Sequence, residues 1–319
     1  MFLRHDNTQD VTLPAFAENI TSICCFCNER LTSLPEFPGG LVVLQCSQNM
    51  LLRSLPTLPE SLQRMYCDEN SLETLPPLPE SLKELWCWEN RLVTLPTLPN
   101  VLDHLNCSSN RLTALPVLPL NLAQLFCSNN NIRSLPSLPI ALRNLNCQEN
   151  ELDELPPLPD RIAILQCYDN RITQLGTLPS ELKLLDCRNN LLTTLPFLPK
   201  TLSELHCKGN PFEEPFKSWV NEYDEKAYLR DDKAPLNLLR ERVNSYWFYS
   251  ARDLKNLMVT VGQREQQAQM GNPRDESEDR IQDCLNADCL SVIATFLTGE
   301  KGSVMQQSRK LYERAHVTV

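Results

Sequence analysis

Cysteine is the residue type in this sequence with the most scope for chemistry, because thiols form disulfides, bind metals and act as nucleophiles. The 319-residue chain has 14 cysteines, and ten of them follow one another at steps of 20 or 21 residues. Disulfide frameworks and zinc sites use clustered cysteines, such as paired C-x-x-C knuckles. These ten evenly spaced cysteines do not provide such clusters. We therefore predict that the column is core packing in a reducing compartment. Its members, called here the column cysteines, are Cys25, Cys46, Cys67, Cys87, Cys107, Cys127, Cys147, Cys167, Cys187 and Cys207.

Polar residues near the last column cysteine are a second candidate for chemistry. His206 follows Glu204 closely, and Asp186 lies 20 residues before His206. Acyl transfer needs a nucleophile, a base and an orienting group in one cluster, and the sequence supplies no such set here. A solvated polar surface is the preferred interpretation, so no catalytic residue, metal ion or small-molecule cofactor is predicted.

Each column cysteine lies within a repeat of the form L-x-x-L-x-C-x-x-N-x-L-x-x-L-P-x-L-P. A unit of this length cannot bury its apolar face alone, so it must stack on copies of itself. The sequence therefore predicts a solenoid of about ten turns. The turn around Cys87 shows the pattern in Leu82, Leu85, Cys87, Asn90, Leu92, Leu95, Pro96, Leu98 and Pro99.

The residues around each column cysteine alternate with a period of two, which is typical of a strand. Positions are counted from that cysteine, so Trp86 is at −1 and Trp88 at +1 of its turn. Leu85 and Cys87 are expected to face inward, with Glu84 and the two tryptophans facing outward. A reduced cysteine serves as a small hydrophobe at such an inward position. Stacked strands of this kind predict a parallel sheet.

Two further columns predict how each turn is closed. An asparagine at +3 is expected to bond the backbone of adjacent turns as a buried ladder. The L-P-x-L-P stretch removes amide donors and fixes φ, which predicts an extended outer segment instead of a helix. Gly176 replaces the first proline of one turn and is expected to soften it locally. The ladder residues are Asn28, Asn49, Asn70, Asn90, Asn110, Asn130, Asn150, Asn170, Asn190 and Asn210.

This pattern resembles the short, 20-residue LPX class of bacterial leucine-rich-repeat effectors, which pathogens deliver into host cells. The resemblance covers about residues 13 to 212, although that family commonly has valine or alanine where this chain has cysteine. Cysteine versions look similar to repeats of intracellular bacteria and large DNA viruses, so the source stays open. The resemblance implies an α/β horseshoe with a concave parallel sheet, followed by a small α-helical domain. It also implies that the protein is a secreted effector, which acts in the host cytoplasm and contributes to virulence.

The outward residues at −1 and +1 are expected to tile the concave surface of such a horseshoe. Aromatic side chains gather there in the third to sixth turns, surrounded by acids, and a host or cellular protein is the expected partner. The alternative is that the rings pack on a neighbouring turn or on the carboxy-terminal helices. The predicted partner-binding residues are Tyr66, Asp68, Glu84, Trp86, Trp88, Asn106, Phe126, Asn146, Tyr168 and Arg188.

The chain is expected to divide into an amino-terminal flank (1–12), the solenoid (13–210) and a helical carboxy-terminal region (211–319). The motif NPFEEPFKSW, from Asn210 to Trp219, predicts a cap over the last turn. Apolar residues at spacings of three and four then predict helices, and the polar stretch 262–279 predicts a linker. The apolar residues of the two helices are Leu236, Leu239, Val243 and Trp247, then Ile281, Leu285, Cys289, Ile293 and Phe296.

An E3 ubiquitin ligase, with the repeats recognising its substrate, is the alternative to a binding module. Some relatives with this repeat carry a novel-type ligase domain whose nucleophile lies in a C-x-D motif. Cys284 and Cys289 are the candidates for this nucleophile, but Asn286 and Ser291 occupy the positions where the motif requires aspartate. Neither cysteine is therefore predicted to be a nucleophile.

Charge and hydropathy narrow the classes of partner and location. The net charge of −10 and pI of about 5.0 argue against nucleic acid, which requires clustered lysine and arginine. The first ten residues, MFLRHDNTQD, lack the apolar region of a Sec-type signal. The longest apolar run, Cys289 to Leu297, is too short to cross a bilayer. We expect a soluble protein without a membrane span.

Overall fold

The computed structural model describes residues 1–6, 9–227 and 234–247. Eleven strands of three residues form one parallel sheet, and they lie in the sheet in chain order. The predicted leucine-rich-repeat solenoid with a parallel sheet is therefore confirmed. The strands are β1 (Phe2–Arg4), β2 (Ser22–Cys24), β3 (Val43–Gln45), β4 (Arg64–Tyr66), β5 (Glu84–Trp86), β6 (His104–Asn106), β7 (Gln124–Phe126), β8 (Asn144–Asn146), β9 (Ile164–Gln166), β10 (Leu184–Asp186) and β11 (Glu204–His206).

The register places equivalent positions of successive turns side by side. Leu85 lies opposite Met65 of one neighbouring strand and Leu105 of the other. These central strand residues and the column cysteines are buried, with the thiols of Cys87 and Cys107 having no exposed surface. The predicted inward orientation of the −2 and 0 positions is therefore confirmed. Repeated burial of leucine and thiol side chains is the hydrophobic term that holds the turns together.

Residues 1–12, expected as a flank, contribute the first strand of the sheet. In β1, Leu3 pairs in register with Ile23 of β2, and the side-chain amide of Asn28 donates to the carbonyl oxygen of His5 at 3.1 Å. The sequence held a signal for this strand, because Leu3 precedes Ile23 by one 20-residue period. His5 stands at the same interval before Cys25. The repeat thus begins one strand before its first column cysteine.

The outer segment of each turn contains no helix between residues 9 and 210, as its prolines predict. It closes instead with a tight turn, in which the amide of Leu82 donates to the carbonyl oxygen of Pro79 at 3.0 Å. Leu102 and Pro99 repeat the same bond at 3.0 Å. Gly176, which replaces a proline, has a φ of 68° that proline cannot adopt.

The asparagine ladder is also confirmed. The side-chain amide of Asn130 donates to the carbonyl oxygens of Cys107 at 3.1 Å, Cys127 at 3.2 Å and Ser128 at 3.1 Å. Its side-chain oxygen accepts the amide of Leu112 at 2.9 Å. One buried side chain therefore satisfies backbone groups of two turns that would otherwise lose their partners on leaving the strand.

A further column, at +2, was missed by sequence reasoning. Every residue at this position has a positive φ, between 49° and 77°, although only four of the ten are glycine, asparagine or aspartate. This left-handed conformation costs other residues about 1–2 kcal/mol, because Cβ approaches the following carbonyl oxygen. The column is Cys27, Gln48, Glu69, Glu89, Ser109, Asn129, Glu149, Asp169, Asn189 and Gly209.

A helix, α1 (Phe216–Ala227), follows the last strand. Its side chains at 216 and Val220 are buried, and the hydroxyl of Tyr223 donates to the carbonyl oxygen of Leu205 in β11 at 2.8 Å. The helix therefore covers the apolar end of the last turn and satisfies a backbone group of its strand. This confirms the cap that the sequence predicts.

A second helix, α2, spans residues 234–247, and it buries Leu236, Leu239 and Val243 as their spacing predicts. Three predicted features lie outside the described residues. They are the helix from Ile281 to Phe296, the polar stretch 262–279, and the two candidate ligase cysteines, Cys284 and Cys289. Neither α1 nor α2 is long and apolar enough to cross a membrane. The three proposed regions of the chain therefore stay a prediction.

Candidate protein-interaction surface

The sheet face is the surface formed by the side chains at positions −3, −1 and +1 of each turn. The structure brings all ten sequence-predicted residues onto it, and nine of them are partly buried whereas Arg188 is exposed. At the −3 position, the sequence analysis predicted only Glu84 as a binding residue. The strands also carry Arg64, His104 and the adjacent apolar pair Ile164 and Leu184 there. The strand alternation that revealed the −1 column would have revealed these as well.

Four rings at −1 and +1 form the aromatic patch, which consists of Tyr66, Trp86, Trp88 and Phe126. Tyr66 pairs in register with Trp86, and their ring centroids lie 6.3 Å apart with the planes tilted by 37°. The suggestion that rings pack on a neighbouring turn is thus correct for this pair. Each ring of the patch nevertheless keeps part of its surface open to solvent. Large aromatic surface on a largely polar face is typical of a contact site.

A hydrogen bond fixes the position of Tyr66. Its hydroxyl donates to Oε2 of Glu84 at 2.7 Å, and Nε of Arg64 lies 3.4 Å from Oε1 of the same carboxylate. Burial and the bond to Glu84 raise the pKa of Tyr66 to about 12, while Arg64 acts in the opposite direction. The ring is therefore neutral and oriented at physiological pH, so little side-chain entropy is lost when a partner covers it.

The indole nitrogen of Trp86 is buried without a hydrogen-bond acceptor among the described residues. An unsatisfied donor of this kind costs about 1–3 kcal/mol relative to a bonded one. This unsatisfied donor lowers the contribution that Trp86 makes to the stability of its own turn, which favours a role for the residue in binding.

Three carboxylates border the aromatic patch, and they form the acid trio of Asp68, Glu69 and Glu89. The hydroxyl of Ser47 donates to Asp68 at 2.9 Å. The pKa of Asp68 is raised, chiefly by burial and further by the negative charges of Glu69 and Glu89. This part of the sheet face is accordingly negative and partly desolvated, which strengthens its attraction for a positive charge.

The sheet face differs at its other end, where polar side chains bond one another within the chain. Arg188 donates through two nitrogens to the buried carboxylate of Asp186, at 2.9 and 2.6 Å, and its guanidinium lies 5.0 Å from the ring centroid of Tyr168. His206 lies 2.8 Å from Glu204. Arg188 and Tyr168, both predicted to bind a partner, are therefore engaged with each other.

The two predicted asparagines at −1 are oriented by their own strands. The side-chain oxygen of Asn106 accepts the amide of Ser108 at 3.2 Å, and that of Asn146 accepts the amide of Gln148 at 3.3 Å. Both side chains lie partly open on the sheet face. They supply fixed polar groups between and beside the rings of the aromatic patch.

The column cysteines are free thiols and are buried. Burial raises the pKa of Cys127 to about 12, and it raises the pKa of Cys107 well above its usual value. Thiols that stay protonated and covered are poor nucleophiles. In the part of the chain that the structure describes, no three histidine, cysteine or acidic side chains are grouped so as to hold a metal ion.

Separate exposed apolar residues occur in the L-P-x-L-P segments or directly after them, away from the column cysteines. Val117, Leu120 and Ile140 are 85%, 74% and 77% exposed, respectively. Nothing in the described residues covers them. They provide exposed apolar positions outside the sheet face against which its contribution to binding can be compared.

Comparison with known proteins identifies similar solenoids. YopM from Yersinia enterocolitica is 35% identical over 66% of this chain and 56% of its own, with a TM-score of 0.51. YopM from Yersinia pestis, described as a leucine-rich effector protein, is 34% identical over 67% of this chain and 63% of its own, with a TM-score of 0.62. The chain therefore spans less than two thirds of the length of either YopM chain.

A chain in the octameric complex of latrophilin 3, Unc5D and the leucine-rich-repeat protein FLRT2 has the same fold. It is 20% identical over 70% of this chain and 85% of its own, with a TM-score of 0.53. No protein-family model and no curated protein matches the chain.

Proposed function

We propose that this chain is a non-enzymatic interaction module that binds a partner protein on its sheet face. The observation that carries the proposal is the aromatic patch, in which four partly open rings lie within four successive turns of a largely polar surface. Tryptophan and tyrosine are the residues most often found as interface anchors. The bond from Tyr66 to Glu84 holds one of these anchors in place before binding.

The position of the patch supports recognition of a protein more than of a small molecule. The four rings span β4 to β7, and strands in a sheet lie about 4.8 Å apart, so the patch extends for roughly 15 Å. A surface of this extent fits several residues of a partner. Its polar borders, which include Asn106 and Asn146, supply the rim that surrounds anchors in protein interfaces.

The partner is proposed to be a host protein, and the chain a bacterial effector delivered into the host cytoplasm. Support comes from the resemblance of the 20-residue repeat to the LPX class and from the similarity to YopM, one form of which is described as a leucine-rich effector protein. Delivery of this chain and a role in virulence are part of the proposal.

The test is capture of partners from host-cell lysate by wild-type protein and by the Trp86→Ala, Trp88→Ala double variant. We expect the double variant to lose the captured protein, because truncating central anchors costs 2 kcal/mol or more, roughly 30-fold in affinity. Its thermal unfolding should stay close to that of wild type. The matched control, Val117→Ala with Leu120→Ala, removes apolar surface elsewhere on the turns and should keep the partner. Capture that survives in the tryptophan variant would overturn the proposal, whatever the control variant does.

A further inference from the structure

The acid trio differs from Glu84 and Asp186 of the sheet face in having no positively charged partner among the described residues. Glu84 lies 3.4 Å from Arg64, and Asp186 lies 2.6 Å from Arg188. Among the described residues, no ion pair reaches Asp68, Glu69 or Glu89. The hydrogen bonds to this trio within the described part of the chain come from neutral groups, as when the amide of Gln48 donates to Glu69 at 3.1 Å. The three negative charges therefore repel one another without compensation.

Three turns carry an aromatic residue at +1, and two of these rings have an arginine above them. Arg188 lies 5.0 Å from the ring of Tyr168 and pairs with Asp186. Arg4 lies 5.8 Å from the ring of Phe26 and pairs with Asp6. An arginine held between a carboxylate and a ring is thus an arrangement that this sheet makes twice within one chain.

Trp88 is the third aromatic residue at +1. Asp68 occupies +1 in the preceding turn, and the two turns are bonded there through the amide of Glu69 and the carbonyl oxygen of Trp88, at 2.9 Å. Glu89 follows Trp88 directly. The ring and the carboxylates are therefore both present, while no arginine of the described residues lies over Trp88.

We propose that the partner supplies this arginine, so that its guanidinium stacks on Trp88 and pairs with Asp68 and Glu89. The inference rests on the proposed function and names the chemistry of the partner, which is a protein segment with an exposed arginine. Arginine suits the site better than lysine, because its planar fork bonds a carboxylate through two nitrogens while its face stacks on a ring. Tryptophan is also the strongest of the aromatic side chains in cation–π contacts.

The inference can be tested with two peptides that differ only in charge. The probes are Ac-Gly-Gly-Arg-Gly-Gly-amide and the same peptide with citrulline, which keeps the shape of arginine and removes its charge. Each is titrated into the full chain at low salt while the indole N–H resonance of Trp88 is followed by NMR, with Trp88→Phe used to assign it. We expect the arginine peptide to bind roughly fivefold more tightly, the sum of one cation–π contact and a surface ion pair.

Charge variants of the protein give the second arm of the test. Asp68→Asn with Glu89→Gln should reduce the preference for arginine over citrulline to roughly twofold, because the ion pair is lost while the cation–π contact with Trp88 remains. Glu149→Gln, which removes an acid at the same +2 position three turns away, should leave it intact. Equal binding of the two peptides by wild type, or a preference that stays undiminished in the Asp68 and Glu89 variant, would overturn the inference.

The outcomes for the two proposals can be separated. If the arginine peptide fails to move the Trp88 resonance while the tryptophan double variant still loses its captured partner, the arginine inference falls and the binding module stands. If the peptide binds as expected but the double variant keeps its partner, the sheet face is not the capturing surface and the proposed function falls.

Discussion

Cys107 illustrates how a reactive residue type becomes structural through its position. Its thiol has no exposed surface, and burial raises its pKa well above the usual value, so it is held as a small apolar group. The sequence alone predicted this, because the alternation of inward and outward residues is local and repeats in every turn. The C-x-x-C spacing of Cys24 and Cys27, by contrast, falls on −1 and +2 of the first turn. Cys24 is buried beside Asp6, and Cys27 bonds Gln48 instead.

Contacts between side chains of different turns could not be predicted in the same way. The pairing of Arg188 with Asp186, and its stacking on Tyr168, depends on which rotamers two long side chains adopt across turns. The sequence places these residues on one face but does not say whether they bond each other or a partner. The same applies to the bond between Tyr66 and Glu84, which the structure alone reveals.

That bond gives a prediction at the scale of one residue. The ring of Tyr66 should titrate with a pKa of about 12, and Glu84→Gln should lower this value toward 10, because one of the groups that favour the neutral phenol is removed. Arg64→Gln should shift it in the opposite direction. The measurement is a carbon-13 NMR titration of the labelled ring.

The sign of the linked stability follows from the raised pKa. Because the folded pKa lies above the unfolded value of about 10, the contribution of Tyr66 to folding is complete below pH 10 and is lost as the pH rises through 12. An unshifted Tyr66 in wild type, or a Glu84→Gln variant with an unchanged value, would contradict the assigned hydrogen bond.

At the scale of the element, each turn consists of a strand, a left-handed residue, an asparagine bond and an extended outer segment. Leucine, asparagine and proline predicted three of these parts, because each has a strong local preference. The left-handed position was not predicted, since residues such as Gln48, Glu69 and Glu149 ordinarily avoid it. Stacking of neighbouring turns imposes the conformation, and a local preference is overridden.

The left-handed column gives a prediction about stability. Glu149→Gly should raise the free energy of unfolding by about 0.5 kcal/mol, because relief of the left-handed strain exceeds the entropy that glycine loses on folding. Gly209→Ala should lower the free energy of unfolding by about 1 kcal/mol or more. Gly209 has a φ of 77°, and the Cβ of an alanine there would lie 2.1 Å from the side-chain oxygen of Asn189. Urea unfolding of both variants checks the pair. A destabilised Glu149→Gly together with an unaffected Gly209→Ala would show that the column carries no strain.

At the scale of the molecule, one repeated unit determines the sheet, its register and the face that it presents. The period of 20 residues was sufficient to predict the solenoid, because equivalent residues must stack once each unit leaves its apolar face uncovered. The sequence analysis missed the strand β1, because Leu3 is not followed by the cysteine and asparagine that mark later turns. The helix α1 was anticipated as a cap, but its bond from Tyr223 to Leu205 requires the folded structure.

The distribution of charge over the sheet face also emerges only at this scale. Acids in the sequence are spread along the chain, and the structure pairs Asp6, Glu84 and Asp186 with arginines. Among the described residues no arginine or lysine pairs with the acid trio, so uncompensated carboxylates border the aromatic patch. This coincidence of rings and uncompensated carboxylates is the reason to place a protein partner there.

The most direct test of that placement is photo-crosslinking from two positions in neighbouring turns, one on the sheet face and one on an outer segment. A benzoylphenylalanine is introduced at Ser108, which follows Trp88 along the +1 column of the sheet face, or at the exposed Ser137 in an outer segment. After irradiation in host-cell lysate, the proposed function predicts one crosslinked partner from position 108 and none from position 137. The same partner crosslinked from position 137, with none from position 108, would contradict binding on the sheet face.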